Sequence, residues 1–97
     1  MRVWKWALEI TDLQTLELPV GAKILTVQLQ REAPQLWALC DGTETRKELR
    51  QFAIYGTGNP VMHGGRATYI STFQLFAGSA IFHVFELDQP TDQQKEG

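Results

Sequence analysis

The chain has 97 residues, 43% of them apolar and 10% aromatic, with one cysteine and a formal net charge of −2. That length suits one domain, the apolar content argues against general disorder, and a lone Cys40 excludes an intramolecular disulfide and fits a reducing compartment. Acidic and basic residues balance as far as Leu87, no run of 18 apolar residues is present, and MRVWKWALEITD lacks a cleavage pattern, so neither nucleic acid, nor a membrane, nor a signal peptide is expected.

Residues 3–10 (VWKWALEI) alternate with a period of two. Trp4, Trp6, Leu8 and Ile10 share one face, and Val3, Lys5, Ala7 and Glu9 the other, which predicts a half-buried strand. Residues 14–18 (QTLEL) alternate in the same way. Pro19 and Gly21 then signal a turn, because proline fixes φ and glycine accepts positive φ. AKILTVQLQ carries the cleanest alternation of the chain, predicting a strand over 23–30. The run QLWALC at 35–40 reads as its hairpin partner across a four-residue loop, REAP.

Asp41-Gly42 is a further turn, and the polar stretch 43–48 leaves room for a short helical turn. Residues 49–55 (LRQFAIY) have no purely polar face, which points to cover on both sides or a bulge. GTGNPVMHGG at 56–65 is a glycine-rich loop. The runs 67–76 and 79–87 form a closing hairpin around Ala77-Gly78. The tail from 89 to 97 is polar and should fray from a single domain over 1–88. About seven strands with short connections predict an all-β fold, either a compact antiparallel sandwich or a partly closed barrel. The sandwich is favoured because a single open sheet would leave apolar faces wet.

No constellation marks an enzyme. Cys40, Asp41, His63 and His83 match a catalytic or metal set by residue type alone, without ligand spacing, and Cys40 runs in phase with Leu36 and Ala38 as a buried thiol would. No metal and no cofactor is expected. The loop residues Gly56, Thr57, Gly58, Asn59 and His63, with Arg66, are candidates for holding a small anionic ligand on an anion nest. The loop lacks the lysine of a phosphate-binding loop and the following helix of a dinucleotide site. Three tryptophans are many for so short a chain, and tryptophan favours interfaces. Trp4, Trp6 and Trp37 are therefore candidates for contact with a protein partner or a second copy.

The ordered blocks ITDLQTLELPVGAKILTVQLQ, LWALCD, IYGTGNPV, YISTFQL and HVFEL resemble a family of small uncharacterised proteins of bacteriophages and their hosts. The resemblance covers residues 10–87 and includes Pro19, Gly21, Trp37, Asp41, Gly56, Gly58, Pro60, His83 and Glu86. It implies a phage accessory protein in the cytoplasm of a bacterial cell. The expected activity is non-enzymatic binding of a host or phage protein, such as a host-defence component. The alternatives are a small-ligand or nucleotide binder using the 56–65 loop, and a virion structural or assembly component.

Overall fold

The computed structural model describes residues 1–62 and 66–88. It contains seven strands: β1 (Arg2–Ala7), β2 (Gln14–Pro19), β3 (Lys23–Gln30), β4 (Ala33–Cys40), β5 (Lys47–Gly56), β6 (Ala67–Leu75) and β7 (Ala80–Leu87). They form two antiparallel sheets, one of order β1-β4-β3 and the other β2-β5-β7-β6, packed face to face as a sandwich. The tail from 89 to 97 and His63 lie outside the described residues. No helix among the described residues is long and apolar enough to cross a membrane.

Alternation places the core. Leu36, Ala38 and Cys40 of β4 and Val27 of β3 are buried against Leu18, Phe52, Ile54 and Val84 of the other sheet. β5 and β7 are the central strands of the larger sheet. The second half of β5 is covered twice: Phe52 and Ile54 face the inter-sheet core, while Ala53 and Tyr55 join Leu87 and Phe85 in a second cluster on the outer face. That explains why residues 49–55 show no polar face.

The connections depart from the sequence reading at three places. The β3–β4 hairpin turns on two residues, not four: Gln30 pairs with Ala33, and Arg31 and Glu32 both take positive φ (53° and 68°), the geometry of a twist-matched two-residue turn. Ala33 and Pro34 therefore belong to β4. The closing hairpin is wider than Ala77-Gly78. Residues 76–79 make the turn, with Phe76, Ala77 and Gly78 all at positive φ and the Gly78 and Ser79 amides donating to the carbonyls of Leu75 and Phe76. Residues 43–48 contain no helical turn. Instead Asp41 accepts hydrogen bonds from the Thr43 amide and hydroxyl, and β5 begins at Lys47.

At residues 19–22 the chain passes between the sheets. The Ala22 amide donates to the Pro19 carbonyl at 3.1 Å, and Gly21 sits at φ 81°, where a side chain would be strained.

Candidate interaction surface

The two flanks of the sandwich differ. On one, β3 and β6 are stitched together: the Val27 amide donates to Ser71 Oγ at 2.9 Å, and that oxygen lies 3.0 Å from Thr26 Oγ1. The opposite flank is bounded by β1 and β2, which end the two strand orders. Among the described residues β1 pairs only with β4 and β2 only with β5, so each presents a backbone edge without a strand neighbour.

The register fixes which side chains face the gap. Trp4 lies opposite Ala38 and Trp6 opposite Leu36, both core positions, so the two tryptophans point inward between the sheets. Trp6 packs on the core from the edge, whereas Trp4 remains 39% exposed. Leu16 lines the β2 side and is half-buried. Ile10 and Leu13, in the connection from β1 to β2, are exposed, and Gln14 ties that connection down through reciprocal hydrogen bonds with the backbone of Glu9. The result is an apolar seam between two free strand edges.

Trp37 lies elsewhere. It is opposite Lys5 and Thr26 on the outer face of the smaller sheet, half-buried beside Leu39. Trp4 and Trp6 thus share a surface that Trp37 does not.

The glycine-rich loop holds its shape through backbone bonds. The Thr57 amide donates to the Ile81 carbonyl and the Asn59 amide to the Gly56 carbonyl, so the Thr57 N–H of the expected nest is already committed to the strand ladder. Gly58 sits at φ 91° and is exposed, as are Asn59 and Arg66. Gly56 and Thr57 border a shallow depression of about 290 Å³ shared with residues 79–82. Thr57 also approaches His83 Nε2 at 2.7 Å. Thr72 meets Nδ1 of the same ring at 2.9 Å and is itself 2.7 Å from the Tyr69 hydroxyl. His83 is thus a hydrogen-bonded residue of the outer face.

One polar group is legible only in three dimensions. Arg50 lies on the inner face where the sheets part. Its Nε and Nη2 donate to Glu86 at 2.6 and 2.9 Å, and its Nη1 donates to the Ala22 carbonyl. Hydrogen bonding to Glu86 holds the guanidinium above its ordinary pKa. The pair floors a cleft of about 330 Å³ beside bulges at Leu25 and Ile70. No proximity in sequence links Arg50 to Glu86. Cys40 is buried, and burial pushes its thiol pKa up. Among the described residues no three His, Cys, Asp or Glu side chains gather as a metal set would require.

Residues 1–95 match the family model described as a domain of unknown function, DUF7352, and the chain belongs to that family. No curated protein and no solved structure matches it.

Proposed function

We propose that this domain is a non-enzymatic binding module that meets another polypeptide along the flank bounded by β1 and β2. The observation that carries the reading is Trp4: an inward-facing aromatic, 39% exposed, between two edge strands with no strand neighbour. An extended segment laid against either edge gains backbone hydrogen bonds and covers the ring, combining strand addition with an aromatic anchor. On the other flank the Val27 amide is already taken by Ser71, which leaves an incoming strand one backbone donor fewer, and the cleft there is floored by the Arg50–Glu86 pair in place of an aromatic ring. That the module serves a phage, and that it acts in a bacterial cytoplasm on a host or phage protein such as a defence component, rests on the sequence resemblance.

Parallel affinity captures from phage-infected bacterial cells test the reading, using the wild-type chain and Trp4→Ala. A partner held by the wild type and lost from a folded Trp4→Ala chain supports it. A partner held equally by both places recognition on another surface.

A further inference from the structure

Resting on the reading of that flank as a binding surface, we propose that its occupant is a second copy of this chain, related by a two-fold axis, with β1 of each copy pairing antiparallel with β2 of the other. Residues 8–13 join the two edge strands at one end of the flank, so β1 and β2 run in opposite directions along it. A two-fold axis parallel to the strands then brings the second copy's β2 beside β1, and its β1 beside β2. One operation pairs both free edges and leaves neither open, which gives a closed dimer and no fibre.

The side chains fit this register. With Lys5 opposite Glu17 of the second copy, Trp6 falls opposite the half-buried Leu16 and Trp4 opposite Leu18 on the inner faces, while Val3 falls opposite Pro19. Leu18 and Pro19 are already buried within their own copy, so the new apolar cover is on Trp4, Trp6 and Leu16. Apolar groups meet in the seam, and the one charged pair lies outside it. β1 carries Arg2 and Lys5 and no acid, and Glu17 is the only charge of β2, so the edges are complementary. Pairing β1 with its own copy would instead set basic residues along one seam with no acid to offset them. Glu17 stands exposed at the edge, whereas Lys5 reaches across β4 to Gln30 of β3 and swings back to meet it in the dimer. Glu17 takes part in no ion pair among the described residues, and the Lys5 ammonium is held only by the neutral Gln30 side chain. Pro19, lacking an N–H, stands at the last position of its strand, where the ladder loses least.

The test is a charge exchange on the full chain, read as solution mass against concentration. The wild type should dimerise. Lys5→Glu and Glu17→Lys should each weaken the dimer by at least about tenfold through like-charge contact, and the double exchange should restore it. Lys5 and Glu17 lie on different sheets within one copy, so a purely structural role for either predicts no rescue. Circular dichroism on every variant separates loss of fold from loss of pairing. Should a reversal unfold the chain, Lys5→Gln and Glu17→Gln take its place, with a weaker dimer expected. A wild type that stays monomeric, or a dimer indifferent to these changes, overturns the proposal. Quenching of fluorescence in a chain whose only tryptophan is Trp4 keeps the two failures apart. A monomer with Trp4 accessible rejects the second copy but leaves the flank open to another polypeptide. A monomer with Trp4 inaccessible rejects the open flank as well.

Discussion

Ser71 accepts the backbone N–H of Val27 at 2.9 Å, so a side chain of β6 does for the edge of β3 what a further strand would otherwise do. The bond is buried, spans the two sheets, and has no counterpart among the described residues on the β1–β2 flank. A buried N–H that loses its acceptor costs about 1–3 kcal/mol. Ser71→Ala should lower the folding free energy by that amount in urea melts, while Ser71→Thr should retain much of it. An unchanged midpoint in Ser71→Ala would mean that the β3–β6 flank is held by apolar packing alone.

Trp4 and Trp6 should separate in stability experiments although they share a face. Trp6 packs on the buried cluster, so Trp6→Ala leaves a void and should cost about 3 kcal/mol. Trp4 is 39% exposed and stands at the edge, so Trp4→Ala in the dilute chain should cost less than Trp6→Ala. Equal losses would place both rings in the core.

Arg50 and Glu86 form a two-pronged pair whose side chains are only 14% and 18% exposed. Removing one partner strands the other, so Arg50→Met or Glu86→Leu should each cost about 3 kcal/mol, whereas the two together should recover most of the loss. Denaturant melts of the three variants check this. Additive losses in the double variant would show that the two residues act independently.

Glu44 reports on the turn before β5. Its carboxylate accepts from the Arg46 side chain and backbone, which holds its pKa at about 2. Because the folded value lies below the unfolded one, whatever this contact adds to stability is present above the ordinary carboxylate range and is lost as pH falls toward 2. A carboxyl titration by nuclear magnetic resonance should place Glu44 near that value, and Arg46→Ala should raise it. A Glu44 titration unmoved by Arg46→Ala would contradict the pairing.

The sequence carried the strands and their phases well. The alternation in 23–30 matches β3, and the shared face of Trp4 and Trp6 follows from period two alone. The turns were harder to read, because Arg31, Glu32, Phe76 and Ala77 adopt positive φ without the glycine or asparagine that usually announces it. The division into sheets was not legible: strand order depends on packing between residues far apart, such as Ser71 with Val27 and Arg50 with Glu86. Phase within a strand says which side chains travel together but not which face is covered. Trp37 follows its own phase to the outer face, and Trp4 is open only because β1 proves to be an edge.

Along the β1–β2 flank the proposed occupant is a second copy of this chain. Amide hydrogen exchange resolved by residue, in dilute and concentrated solutions of the wild-type chain, tests this most directly. The account predicts that protection rises with concentration along β1 and β2 and stays constant along β3 and β6, where Ser71 already closes the edge. Protection that is independent of concentration at β1 and β2, or that rises elsewhere on the molecule, would contradict it.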